Sequence, residues 1–355
     1  MSQLLNWIVT VVAIAGAFLL LIGPHEAGHF LIAKLCKVRV IEFSIGAGTK
    51  VLSFTRGGTL YALRALPILG YVRMGGMEAD DFDEANGFHS KPPIQRIAIL
   101  AAGPAVNFLV AILLTAGYGL TQLNDDPGKV VRVLPGTPAA LTGVQMGDRI
   151  RTVNGKTITG PGYVQEQERS APYTPIVLGG FHSDGKPFSY IIAPVCQTKS
   201  TCYVGISVAG LVSPQSAITN GVKFPFIAIG GIAQGLDALV TGQVKGGLLG
   251  PEGLTGPIGI ATITAQSVNQ GPTDYLLLVA LLSVALGFTN LLPVPALDGG
   301  RIVVVLVEWL RRRPFDRKSE LNFQRWGLAA LLALAAVISF LDIQRIATGQ
   351  FPGGH

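Results

Sequence analysis

The stretch WIVTVVAIAGAFLLLIGPHEAGHF, residues 7–30, joins a long apolar segment to a group of ionisable side chains. Residues 7–24 carry no ionisable side chain, and a membrane-spanning helix needs about 20 mostly apolar residues. His25, Glu26 and His29 follow directly. Ionisable side chains at the end of a span are costly unless they bind something or face a polar cavity. The stretch therefore predicts a spanning helix that ends in a functional site.

The composition indicates that the rest of the chain is also embedded in a membrane. Of its 355 residues, 49% are hydrophobic and only 14% are charged, whereas soluble domains carry roughly 25% charged residues. Further apolar runs occupy residues 97–118, 275–293 and 326–341. We therefore expect a membrane protein built on an α-helical bundle of about four transmembrane helices.

The distribution of Lys and Arg predicts the orientation of the chain. These residues are concentrated in segments 34–96 and 301–325, and none precedes the first apolar run. Because short cytoplasmic loops are rich in Lys and Arg, both segments are expected in the cytoplasm, with the stretch between spans two and three outside. The net charge of +6 is then explained by orientation in the lipid bilayer, and no nucleic-acid partner is expected.

The outward stretch has the pattern of a separate small domain. Residues 130–134 read as a strand, 135–141 as a turn followed by a short helix, and 147–155 as a strand ending in a tight Asn-Gly turn. The sequence PGTPAALTGVQMGDRIRTVNG, residues 135–155, resembles the middle of a PDZ domain. A generic small β-domain is the alternative interpretation.

The motif HEAGH, residues 25–29, has the spacing of a metal-dependent hydrolase. On a helix the imidazoles of His25 and His29 share one face, and Glu26 lies beside it as a candidate general base. Catalytic zinc usually takes a third protein ligand. Asp298, within NLLPVPALDGG at residues 290–300, is the candidate because it follows span three on the predicted cytoplasmic side. The alternative is that Asp298 caps a helix.

Together these motifs resemble the site-2 protease family of intramembrane zinc metalloproteases. The resemblance rests on HEAGHF, NLLPVPALDGG and the PDZ-like insertion, and it covers residues 4–343. Shorter segments also fit the family: FSIG at 43–46, GTLYALR at 58–64, GYVRM at 70–74, GPAVN at 103–107 and GPIGI at 256–260. The bacterial branch with a single extracytoplasmic PDZ domain, which performs regulated intramembrane proteolysis, is most similar.

The resemblance implies one Zn²⁺ per chain, held by His25, His29 and Asp298, with Glu26 as general base. It implies substrates that are single-span membrane proteins, such as anti-sigma factors or signal-peptide remnants. The protein would lie in the inner (cytoplasmic) membrane, with its active site near the cytoplasmic side. Residues expected to contact substrate are Asn290, Tyr71, Val72, Arg73 and Met74. Helix packing is the alternative role for Asn290, and packing is the expected role of Asn107.

Two residues depart from the family pattern. Pro24 stands where an apolar residue is usual, and because proline suits the first turn of a helix but kinks an interior, the sequence leaves open whether the metal-binding helix is continuous with the span before it. Leu69 replaces a usual glycine.

The expected domains are a first membrane half at 1–120 with a β-segment at 40–76, a PDZ-like domain at 121–213, a membrane-associated linker at 214–272, and a second membrane half at 273–355.

Two other function classes remain open from the sequence alone. A catalytically inactive PDZ scaffold would be expected to lack one of the four site residues, all of which are present. A metal transporter would spread its ligands over several spans and would not need Glu26 as a base.

Cys196 and Cys202 both fall in the outward stretch, where an oxidising compartment would permit a disulfide.

Overall fold

The computed structural model describes residues 2–77, 84–159, 163–170, 173–198, 201–244, 247, 250 and 253–351. The chain forms two compact units. The first, here called the membrane unit, comprises Met1–Thr115 and Gly221–His355. The second, the inserted unit, comprises Ala116–Asn220.

Five helices in the described ranges are long and apolar enough to cross a membrane. Numbered in chain order, they are α1 (Ser2–Leu35), α2 (Pro93–Thr121), α5 (Pro214–Val240), α7 (Pro272–Leu291) and α9 (Arg317–Ala347). Four of them contain the four apolar runs identified in the sequence. Helix α5 is a fifth candidate by length and composition, and it lies in the stretch expected to be a membrane-associated linker.

The sequence did not predict α5 as a span because it is the least apolar of the five helices. Lys223 and Asp237 interrupt its apolar sequence. Two shorter helices complete the membrane unit: α6 (Pro257–Gln270) and α8 (Asp298–Arg311). At 1.5 Å per residue, the 14 residues of α6 extend only about 21 Å, less than the hydrocarbon core of a bilayer.

Helix α1 runs without interruption from the apolar segment into the HEAGH motif. The sequence left the effect of Pro24 open, and the structure shows one helix that continues through it. A proline inside a helix removes one backbone hydrogen bond and crowds the preceding turn. Because α1 nevertheless extends from Ser2 to Leu35, the candidate span itself presents the motif.

A small antiparallel sheet follows α1. It is formed by β1 (Val40–Arg56) and β2 (Thr59–Met74), each of which bends into two segments. Segment 40–45 lies between 59–64 and 70–74, because Phe43 pairs with both Tyr61 and Val72. Segment 59–64 also pairs with 50–56. The order across the sheet is therefore 50–56, 59–64, 40–45 and 70–74. Segment 70–74 pairs with 40–45 on one side and forms the open edge of the sheet.

A buried cluster joins this sheet to three helices of the membrane unit. Its fully covered side chains come from α1, β1, β2, α2 and α8, and include Ala33, Val40, Met74, Ile99 and Val305. Arg96 of α2 forms a buried ion pair with Glu308 of α8, at 2.7 Å between Nη1 and Oε2. These contacts place the start of α8 beside α1 and α2.

The inserted unit is a small β-rich domain with its own core. Its elements are β3 (Val130–Val133), α3 (Pro138–Thr142), β4 (Arg149–Val153), β5 (Lys156–Thr157), α4 (Tyr163–Ser170), β6 (Ile176–Phe181), β7 (Pro187–Ile192), β8 (Val195–Thr198), β9 (Thr201–Tyr203) and β10 (Ile206–Val208). Four strands form a sheet in the order β5-β4-β6-β7, while β10 pairs with β3 and β8 with β9. The predicted strand, short helix and Asn-Gly turn are confirmed, with Asn154 and Gly155 both at positive φ. Cys196 and Cys202 form a disulfide.

Candidate metal centre

Two histidines on one face of α1 provide two of the three candidate metal ligands. His25 and His29 are separated by one helical turn, and their Nε2 atoms lie 3.2 Å apart. Both side chains are buried, with residue exposures of 7% and 6%. The spacing of the motif thus places two imidazole nitrogens at a common point in the interior of the membrane unit.

Asp298, at the start of α8 and far from the two histidines in sequence, reaches the same point. Its Oδ2 lies 3.3 Å from the Nε2 of His25 and 3.3 Å from that of His29. Asp298 is the first residue of α8, and it is placed there by a loop that folds tightly onto the helix start. Added Cβ atoms at Gly299 and Gly300 would collide with carbonyls of that loop, so both positions require glycine.

The three side chains fit a zinc ion. Ligands about 2.0–2.1 Å from a tetrahedral zinc lie about 3.3 Å from one another, and the observed separations are 3.2, 3.3 and 3.3 Å. Asp298 Oδ2 is buried and, among the residues described, has no hydrogen-bond partner, although it lies close to both imidazoles. Burial alone would raise the pKa of Asp298, but the two imidazoles lower it below its usual range, which favours the carboxylate form that binds metals. Among the described residues this is the one group of three ligands so arranged.

The Nδ1 atom of each histidine, on the ring side away from the candidate metal position, contacts a residue of α2. His29 Nδ1 donates to the backbone carbonyl of Ile99 at 2.8 Å, which leaves its Nε2 lone pair for a metal. His25 Nδ1 lies 3.2 Å from the side-chain amide of Asn107. The buried Oδ1 of Asn107 has no hydrogen-bond partner in the part of the chain that the structure describes, and exchanging the two amide atoms would let it accept from His25 Nδ1–H. Both histidines would then present Nε2 in the same way.

The α2 contact also depends on glycines. An added Cβ at Gly103 would collide with Nε2 of His29 and come within 2.8 Å of Cε1 of His25. An added Cβ at Gly28 would lie 2.6 Å from the Ala102 carbonyl. The two helices therefore cross at their glycines, which lets α2 form one wall of the site. The segment GPAVN contains both Gly103 and Asn107, and its buried polar amide within a span was the available signal for this contact.

A cavity of about 480 Å³ opens onto the three ligands, and Glu26 lines it. Gly70 on the open sheet edge faces α1 so closely that an added Cβ would lie 2.8 Å from Cγ of Glu26. The edge strand and the candidate base therefore share one wall of the cavity.

The structure brings most of the predicted substrate residues to this cavity. Tyr71, Val72, Met74 and Asn290 line it, whereas Arg73 is not among the lining residues. Leu69, which departs from the family pattern, lines it as well. Arg301, one turn after Asp298, is a lining residue that the sequence analysis missed. Its position after the LDGG segment gave no separate signal.

Behind the edge strand, Glu42, Arg64 and Tyr71 form a small polar network. Arg64 Nη2 donates to Glu42 Oε1 at 2.8 Å and contacts the Tyr71 hydroxyl at 2.7 Å. Burial alone would raise the pKa of Glu42, but the Arg64 guanidinium lowers it below its ordinary value. The network joins the central segment of the sheet to the strand that lines the cavity.

Comparison with known proteins agrees with this geometry. Residues 13–334 match peptidase family M50. A Clostridium perfringens protein, named provisionally as a zinc metalloprotease, is 32% identical over 92% of this chain and 96% of its own length. The zinc metalloprotease RasP of Bacillus licheniformis is 28% identical over 93% and 98% of the two chains. The regulator of sigma-W protease RasP of Bacillus subtilis is 26% identical over 95% and 99%. Because the family match extends over most of its length, this chain belongs to peptidase family M50, the site-2 protease family of zinc metalloproteases.

Proposed function

We propose that this protein is an intramembrane endopeptidase that cleaves the membrane-spanning segments of single-span proteins. The observation that carries the proposal is the position of HEAGH within a candidate span, at a cavity lined by an open strand edge. A spanning substrate could reach such a site without leaving the bilayer.

His25, His29 and Asp298 would hold one zinc ion, which when bound supplies the Lewis acidity that activates water and polarises a scissile carbonyl. Glu26 would accept the proton of the attacking water on its carboxylate and pass it to the leaving amine. The hydrogen bond from His29 to Ile99, and the contact of His25 with Asn107, would hold both imidazoles in orientation. Arg301, which lines the cavity, places a positive charge near Glu26.

A substrate helix must unwind before cleavage, because each helical carbonyl is bonded to an amide four residues on. Segment 70–74 forms the edge of the sheet, where an unwound chain would join it as an added strand. Gly70 brings that strand against Glu26, so a scissile bond held there lies beside the candidate base. Asn290 would contact the substrate backbone from α7.

The proposed substrates are regulatory single-span proteins such as anti-sigma factors. The name of the B. subtilis relative, regulator of sigma-W protease, supports a role in sigma-factor control. Signal-peptide remnants would use the same strand edge, and a cleavage assay with both substrate types distinguishes them.

We further propose that the inserted unit is a PDZ-like domain outside the cell membrane that restricts access by size. Its support is its position in the sequence between α2 and α5, and the concentration of Lys and Arg in the other segments. Deleting residues 121–213 should admit substrates that still carry a folded outer domain, with zinc content as the control for folding. Selective loss of cleavage of trimmed substrates would instead identify the unit as a substrate receptor.

The central experiment measures zinc content and cleavage of a single-span peptide by the purified chain in lipid. One zinc per chain, with cleavage inside the spanning segment, is expected. An inactive scaffold would give no cleavage, and a transporter would move zinc across liposomes without cutting the peptide. Either of these results would overturn the proposal.

A further inference from the structure

The loop that delivers Asp298 has an unusual backbone conformation. Ala296, two residues before Asp298, has φ +70°, in the left-handed region that residues other than glycine seldom adopt. Ala296 also lines the cavity. A strained residue of this kind persists only where its surroundings hold it.

The contact that holds Ala296 comes from α9. The backbone N–H of Ala296 donates to Oε1 of Gln324 at 2.8 Å. The Nε2 atom of Gln324 is buried and has no hydrogen-bond partner among the described residues. Within the described part of the chain, the polar contact of the Gln324 side chain is therefore this accepted hydrogen bond.

A second contact lies one turn further along α9. Gly327 faces Pro295, the residue before Ala296. An added Cβ at Gly327 would collide with the Pro295 side chain and lie 2.7 Å from its backbone carbonyl carbon. Helix α9 can therefore approach the loop this closely only because residue 327 is glycine.

We propose that Gln324 is a positioning residue that sets the location of the Asp298 carboxylate through Ala296, with Gly327 allowing the approach. The inference rests on the proposed role of Asp298 as a metal ligand. Gln324 touches neither a ligand atom nor the cavity. Its effect runs through three residues of backbone, from Ala296 to the first residue of α8.

The test compares Gln324→Met, which keeps the length of the side chain but cannot accept the hydrogen bond, with Gln324→Glu, which can. Gln344→Met is the matched control, since Gln344 is exposed near the other end of α9. Zinc dissociation constants are measured on the full chain in lipid by chelator competition, and visible absorption is recorded with Co²⁺ alone. Removing an outer contact of a metal ligand typically weakens binding about 10- to 100-fold. We expect that loss and an altered Co²⁺ spectrum in Gln324→Met, and near-native values in Gln324→Glu and Gln344→Met.

Gly327→Ala provides an independent variant, because it keeps Gln324 but displaces Pro295, and its Co²⁺ spectrum should also change. Native zinc affinity in Gln324→Met, equal loss in Gln324→Glu, or an unchanged spectrum in Gly327→Ala would each overturn the inference. Asp298→Ala separates it from the proposed function. If that variant keeps native zinc affinity, the ligand assignment itself is wrong, whereas if it loses affinity and Gln324→Met does not, only the positioning role fails.

Discussion

The side-chain amide of Asn107 lies 3.2 Å from Nδ1 of His25, across the contact between α2 and α1. Asn107 is fully buried, and its backbone carbonyl accepts a hydrogen bond from Ser283 of α7 at 2.9 Å. It was expected to pack between spans, and it does contact α7. The structure adds a second contact, with a candidate metal ligand.

Replacing Asn107 tests whether that contact matters for metal binding. Asn107→Leu should weaken zinc binding about 10- to 100-fold, because His25 would lose the partner that orients its ring. Asn107→Asp keeps an acceptor for Nδ1–H and should stay closer to native affinity. Chelator competition gives both constants, and equal affinity in Asn107→Leu and the native protein would contradict the role.

Glu26→Gln tests the candidate base separately from the metal. The substitution keeps the size of the side chain and both histidines but removes the proton acceptor. Zinc content should be unchanged, while cleavage of a single-span peptide should fall by a factor of about 10² or more. Full activity in this variant would rule out Glu26 as the base.

Gly103→Ala tests the close approach of α2 to the site. The new methyl group would collide with Nε2 of His29, so we expect zinc binding to be lost or strongly weakened. Gly117→Ala is the matched control on the same helix, since an added Cβ there meets nothing within 4 Å. It should retain zinc and raise stability by about 0.5–1 kcal/mol. Similar zinc affinities in the two variants would show that the glycine contact is dispensable.

Glu42→Gln tests the polar network behind the edge strand. The folded-state pKa of Glu42 is below its ordinary value of 4.5, so its ion pair with Arg64 stabilises the fold above about that pH. That stabilisation is lost as the pH falls through the lowered pKa. Near pH 7 the variant should unfold more easily by about 1 kcal/mol. Thermal unfolding of both proteins from pH 7 to pH 3 checks this, and a difference independent of pH would contradict it.

Asp342→Ala tests the link between α9 and the start of α6. Oδ2 of the buried Asp342 accepts hydrogen bonds from the backbone N–H groups of Gly256 and Gly259, each at 2.9 Å. Removing it leaves both donors and the buried Arg345 guanidinium without their carboxylate. We expect a loss of about 3–5 kcal/mol, measured as a lower unfolding midpoint in detergent. A midpoint within a degree of the native value would show that the link does not contribute.

Local sequence determined much of this protein. Residues 7–24 have the length and apolar composition of a spanning helix, and the i, i+4 spacing of His25 and His29 places both rings on one face of that helix. The Asn154-Gly155 turn in the inserted unit follows from local backbone preferences in the same way. Each of these features depends on residues within one or two helical turns, so composition and periodicity suffice to predict it.

Tertiary structure decided what surrounds the two histidines. Asn107, Asp298 and Gln324 come from three different helices, and no spacing rule relates them to His25. The order of the sheet segments was equally hidden, because β1 and β2 each bend and pair twice. Close packing between helices depends on where small residues such as Gly103 and Gly327 meet a neighbour. Periodicity shows which face of a helix is apolar, but only the folded chain shows which atoms that face contacts.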